Sequence, residues 1–230
     1  METAEKLKLR SSILFSFLFV AFLWVVHVSK IIFHLDLHEF GIYPREFSGL
    51  KGIITSPFIH ATWNHLVSNS IPLFVLGAMM LYSYPSLAFR VLFISIVVTG
   101  IGVWSFARPS FHIGASGIIY SVVTFLFFSG LFRRDRSSIA LALFVTFFYG
   151  GMVWGVFPTD EGISWESHLI GAVAGFVSAF MFKHIDRPPQ IVLEEERETG
   201  EDDFIPPDDW KPKQETEIRY IYREKNRSDS

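Results

Sequence analysis

Six long, mostly apolar stretches dominate the chain, at residues 11–33, 57–82, 86–106, 114–132, 137–157 and 165–183. A helix needs about 20 such residues to cross the hydrocarbon core of a bilayer. Runs of this length leave few folds open. In hydrocarbon every backbone N–H and C=O must be paired within the structure, so a chain built this way folds as helices. Composition agrees: half of the 230 residues are apolar and 25 are phenylalanine, too much for a domain with a water-facing surface. The expected fold is an all-α membrane protein, a bundle of six transmembrane helices. A cleaved signal peptide is not expected, because the first run is long enough to span and no small-residue cleavage site follows it.

Charge divides the chain. From Asp186 onward there are 14 acidic and 8 basic residues, whereas residues 1–185 hold 9 acidic and 12 basic. Three parts are expected: a cytoplasmic N-terminal segment (1–10), a six-span domain (11–185) and an acidic cytoplasmic tail (186–230). The tail is rich in Pro, Glu and Asp and cannot bury enough apolar surface to fold alone, so it reads as disordered. Within it, EIRYIYREKN alternates apolar with charged residues, as a docking strand would. Lys6, Lys8, Arg10, Arg90, Arg133, Arg134, Arg136, Lys183 and Arg187 fall on one side of the predicted bundle, which the positive-inside rule makes cytoplasmic, with both termini. The connection 34–56 is long and mixed in polarity and reads as an ordered interfacial excursion. With no cysteine, the chain has neither disulfides nor thiolate chemistry.

Polar residues inside such runs are costly and face the bundle interior. Three clusters stand out. In HATWNHLVSN of the second run, His65 and Asn69 are four apart and share a helical face, with His60 nearby. They read either as hydrogen-bond glue between helices or as donors to a ligand. In FHIGASGIIY, Ser116 lies between Gly114 and Gly117. Counted from Ser116 to Phe132, the fourth run is about 25 Å long, short of a core of about 30 Å, so its start lies below the membrane surface. Non-helical backbone at that depth lines protein or a wet cavity. Ser116 is thus a helix-capping serine or a reactive one at a helix N-terminus, where free N–H groups suit negative charge. In SHLIGAVAGF, His168, Gly171 and Gly175 share a face, and the two glycines let another helix approach closely. If that helix begins near Gly114, the imidazole reaches Ser116.

A serine next to a neutral histidine suits acyl transfer, in which the base takes the hydroxyl proton and donors stabilise the oxyanion. The candidate donors are the N–H groups of Ala115 and Ser116 and the side chains of His65 and Asn69. Glu166 projects about 200° away from His168 around a helix, so a dyad rather than a carboxylate triad is expected. Tyr120, four residues after Ser116, can stack on the imidazole. This chemistry calls for no metal, cofactor or nucleic acid.

The three motifs, HATWNHLVSN, GASGIIY and HLIGAVAG, occur in the order seen in the rhomboid intramembrane serine proteases, and residues 40–183 resemble that family. The resemblance implies that Ser116 is the nucleophile and His168 the base. It makes His65 and Asn69 part of the oxyanion hole and Tyr120 a support for His168. It also implies a water-filled cavity open to the outer side, a first loop half-sunk in the membrane and a mobile cap before the sixth span. The substrates would be transmembrane segments of other proteins, cut in a bacterial inner membrane. The first loop departs from the best-known bacterial members: their Trp-Arg pair is absent and GIYPREFSGL supplies Arg45 alone. His112 has no assigned role. A non-catalytic rhomboid-like protein that binds client helices is the alternative, with a small transporter behind it, since the spans show few charges and no inverted repeat.

Overall fold

The computed structural model describes residues 2–158 and 162–186. The acidic tail beyond Asp186 lies outside the described residues. The described residues form seven α-helices in succession: α1 (Glu2–Ile32), α2 (Gly52–Thr55), α3 (Trp63–Ser83), α4 (Ala88–Phe106), α5 (Ser116–Arg133), α6 (Arg136–Tyr149) and α7 (Trp165–Met181). Short 3-10 turns join several of them. Among the described residues there is no strand, and the single β-type contact is an isolated antiparallel bridge between Ile42 and His112.

Among the described residues, five segments are long and apolar enough to cross a membrane: Thr3–Ile32, Trp63–Ser83, Ala88–Phe106, Ser116–Arg133 and Arg136–Val156, the last combining α6 with the 3-10 segment after it. Within their most apolar stretches, 61 % of α5 is buried in the protein against 11–28 % of the others. Thus α5 is the central helix. Its neighbours turn phenylalanine and aliphatic side chains outward, among them Phe93, Phe147 and Phe180, a surface that is stable only in an apolar solvent.

Helix α7 runs along α5, and small residues set that contact. A side chain at Gly171 would collide with the Gly117 carbonyl, and one at Gly175 with the carbonyl of Ser121. Lipid tails are as apolar as leucine, so helices in a bilayer gain from close packing rather than from burial, and glycine permits the closest packing. A buried Ser95–Ser121 hydrogen bond of 2.6 Å joins α4 to α5. Trp24 donates to Ser70 at 3.0 Å and ties α1 to α3.

Hydropathy misplaces three helix boundaries. The first run begins at residue 11 by its apolar content, yet α1 is already helical from Glu2, so most of the segment 1–10 is its first turns. The second run was expected to be helical from residue 57, which would put His60 inside a span. Pro57 instead sits in a 3-10 turn, Ile59 and Thr62 are extended, and the Thr62 side chain accepts from the His65 N–H at 3.1 Å. That is an N-cap, so α3 starts at Trp63 and His60 lies outside it. The fifth run leaves the α-helix at Tyr149, and the Gly150-Gly151 pair opens the 3-10 segment Gly150–Val156.

The first connection is ordered, as its composition suggested. It forms 3-10 turns at His38–Phe40, Phe47–Lys51 and Ser56–Phe58 around α2. Arg45 anchors it. Its Nη1 donates to the Ala107 carbonyl at 2.9 Å and its backbone N–H to Trp104 O at 2.9 Å, while the Trp104 indole donates back to Glu46 O at 2.8 Å. The arginine thus closes the carbonyl end of α4, where a cation is favourable. Arg45→Ala is expected to cost about 1–2 kcal/mol and to speed limited proteolysis within residues 34–51. Unchanged cleavage of that loop would show that the anchor lies elsewhere.

Candidate active site

The segment 107–115, which leads into α5, is stitched to the first connection. Ile42 and His112 exchange two backbone hydrogen bonds of 2.9 Å, and the Gly114 N–H donates to Ser56 O at 2.9 Å. Gly114 has φ +106°, a conformation for which glycine is suited. Where it would carry a Cβ stands the His65 ring, whose Cε1 and Nε2 would both be 2.6 Å away. Glycine therefore serves twice here, for the turn and for the approach of His65.

Ser116 occupies the first helical position of α5, with Ala115 as the residue before it and no side-chain cap. The capping role open to a serine in this sequence is not the one it takes. The N–H groups at the start of a helix have no partner within it, and the helix dipole makes that end favourable for negative charge. The Ser116 hydroxyl lies 2.8 Å from Nε2 of His168. On the other side of the imidazole, Nδ1 is 2.8 Å from the Gly155 carbonyl. A carbonyl only accepts, so Nδ1 carries the proton, and Nε2 is left as an acceptor for the serine hydroxyl. That is the tautomer a base needs.

Tyr120 lies flat on His168, with ring centroids 4.1 Å apart and planes 10° from parallel. Its hydroxyl donates to the Met152 carbonyl at 2.8 Å. The 3-10 segment thus touches the pair twice, once through Gly155 and once through Met152. Gly155 has no room for a side chain, which would meet the Tyr120 hydroxyl and crowd Nδ1 of His168. Glu166 is turned away, as its spacing implied. It pairs with Arg108, with 3.5 Å between Nε and Oε1.

His65 and Asn69 sit on α3. Asn69 is buried and its Nδ2 donates to the His65 carbonyl at 2.8 Å, within its own helix. Among the described residues its side chain shows no bond to another helix. His65 packs edge to face with His60, with centroids 5.0 Å apart. Lys30 of α1 donates to the His60 carbonyl at 3.1 Å and so steadies this corner. Of the residues singled out in the sequence, Ser116, His168 and Tyr120 are in mutual reach, His65 stands against Gly114, and Asn69 is held one turn further along α3. Sequence reasoning missed Gly155 and Met152, which act through main-chain carbonyls that any residue would offer. The arrangement can pass a proton from a serine hydroxyl to a histidine beside the N–H groups that open a helix.

The fold and site define a polytopic helical protein of the membrane with a part-buried Ser–His pair at a helix start. The Rhomboid domain family matches residues 48–185, more than half of the chain. An uncharacterized protein of Mycobacterium tuberculosis is 39% identical over 178 residues, covering 74% of each chain. An uncharacterized protein of Mycobacterium leprae is 34% identical over 185 residues, 76% of this chain and 73% of the relative. A protein of Acanthamoeba polyphaga mimivirus that is named as a rhomboid protein is 27% identical over 132 residues, 54% and 71% of the two chains. The chain belongs to the rhomboid family and is an integral membrane protein.

Proposed function

We propose that this rhomboid-family protein is a serine endopeptidase that cuts transmembrane segments of other membrane proteins. The observation that carries the reading is the 2.8 Å hydrogen bond from Ser116 to Nε2 of an imidazole whose Nδ1 proton is fixed by a carbonyl. Ser116 attacks the scissile carbonyl while His168 takes its proton. The N–H groups of Ala115 and Ser116, with His65 and Asn69, receive the oxyanion. Asn69 suits that role because one amide hydrogen is spent on His65 O and the other remains for the site. Tyr120 holds the imidazole plane. His168 then returns the proton to the leaving amine, and water releases the acyl group by the same steps.

In this reading α7 is the sixth span, residues 11–185 carry the activity, both termini are cytoplasmic and the Ser116 end opens outward, in a bacterial inner membrane. Support for the topology comes from the basic residues at the Arg133 end of α5. A non-catalytic role would not require the serine and the correctly protonated histidine to be kept together. The test uses the full chain purified in detergent. It should be labelled by a serine-directed fluorophosphonate and should cleave a model transmembrane substrate without added metal or nucleotide. A well-folded protein that does neither would refute the reading.

Asn69→Ala is expected to lower kcat by roughly 10²-fold with a smaller change in KM, because the charge it meets exists only near the transition state. A loss confined to thermal stability, with kcat intact in the surviving protein, would make Asn69 structural.

A further inference from the structure

His112, four residues before Ser116, stands where three parts of the protein meet. Its backbone bridges to Ile42 of the first connection through both N–H and carbonyl. Its side chain reaches the residue immediately before α7: Nδ1 is 2.6 Å from the Ser164 hydroxyl, and Ser164 is in turn 2.6 Å from the hydroxyl of Ser167. Nε2 lies 3.0 Å from the Arg108 carbonyl in its own segment. That carbonyl accepts, so the proton resides on Nε2, and Nδ1 receives the Ser164 hydroxyl proton. Ser164 then accepts from Ser167. The result is a directional chain from the first turn of α7 through His112 into the segment that carries the nucleophile. Burial holds the imidazole below the ordinary histidine range, its largest influence, so the neutral form this chain requires is favoured.

The chain ends beside the reacting pair. Ser167 directly precedes His168, and the first backbone hydrogen bond of α7 runs from the His168 N–H to Ser164 O at 3.3 Å. Arg108 makes a second tie at the same joint, with Nη2 donating to Ile163 O at 2.6 Å and its backbone N–H to Glu166 at 3.3 Å. Below this level, the Gly117–Gly171 contact fixes how closely α5 and α7 approach. A glycine contact sets separation but resists sliding along the helices weakly, since it interlocks no side chains. At the far end Phe128 and Phe132 of α5 interlock with Phe176 and Phe180 of α7; at the Ser116 end the polar joint supplies that resistance.

We propose that His112 is a positioning residue for the Ser116–His168 pair: its imidazole fastens the segment leading into α5 to the head of α7 and holds the two reacting side chains in register. The inference rests on the catalytic reading of that pair. His112 touches neither reacting atom. It acts on the 2.8 Å separation between them, and a misplacement on the order of 1 Å there costs roughly 100-fold in rate.

The test combines kinetics with a distance. His112→Ala should lower kcat by roughly 10- to 100-fold with KM little changed. His112→Asn keeps an acceptor near the Nδ1 position and should restore most of the rate. Ser164→Ala should lower kcat in the same way, and adding it to His112→Ala should bring no further loss, since both break one chain. The chain has no cysteine, so paired spin labels can be placed at Pro109→Cys and Ile163→Cys, on the two segments being joined. The distance distribution should be narrow with His112 or Asn present and broad with Ala. If wild-type protein neither cleaves nor labels, the catalytic reading falls, and the register role of His112 is judged on the label distances alone. Equal rates and equally narrow distances in all variants would overturn the proposal. So would multiplying losses for His112→Ala and Ser164→Ala, or an Asn variant as poor as the Ala variant.

Discussion

Ser116→Ala is expected to reduce cleavage of a transmembrane substrate by roughly 10⁴-fold or more, and His168→Ala by a similar factor. The double variant should lose no more than either single one, because nucleophile and base act as a unit and each is useless without the other. Neither change should unfold the protein. Ser116 has a single side-chain hydrogen bond, to His168, and alanine at the first position of α5 leaves helix packing untouched. His168→Ala removes more, namely the stack on Tyr120 and the bond to Gly155. Its thermal unfolding should be measured beside that of the wild type, and His168→Gln serves as the milder partner. Substantial turnover by purified Ser116→Ala protein would remove Ser116 from the mechanism, whatever the fold.

The second large effect is on stability. Gly171→Val should destabilise the protein by about 3 kcal/mol, at the upper end of what overpacking costs, because the first carbon of the new side chain already collides with the Gly117 carbonyl and backbone. Backbone cannot change rotamer to escape, so α7 must move away from α5. Activity should fall with stability, since that movement also pulls His168 from Ser116. Gly175→Val should behave alike, through the Ser121 carbonyl. Gly151→Ala is the control. Nothing lies within 4 Å of a Cβ there, and the change should stay within about 0.5 kcal/mol. A Gly171→Val protein with wild-type unfolding and activity would show that α5 and α7 are not held as described.

These glycines explain why part of the architecture was legible in the sequence. A four-residue glycine spacing on the face of a histidine announces a close helix contact, and the pattern of small residues in GASG supplies the opposite surface. Hydropathy marked the regions of the long helices but not where backbone leaves the helix. His60 and Thr62 lie in an apolar run, and only the hydrogen bond of Thr62 to the His65 N–H tells a cap from one more span residue. The anchoring of the first connection was hidden for another reason. Arg45 and Trp104 are 59 positions apart, and their joint role at the end of α4 arises from a chain reversal that no local pattern encodes. The same holds for His112 and Ser164, which a local reading leaves as two unrelated polar residues.

The orienting group opposite His168 has a further consequence. It is the carbonyl of Gly155, in a 3-10 segment, where a protease triad would place a carboxylate. A main-chain acceptor cannot be deleted by exchanging a side chain, so alanine at residue 155 would report only the collision with the Tyr120 hydroxyl and leave the part played by the carbonyl unseen. Selection on this segment therefore acts on its path rather than on its chemistry. Between Tyr149 and Phe157 sequence can drift while the carbonyl stays in place, provided residue 155 remains small. In design terms, the base could be retuned by grafting a loop of different curvature, without touching any residue that carries a functional group.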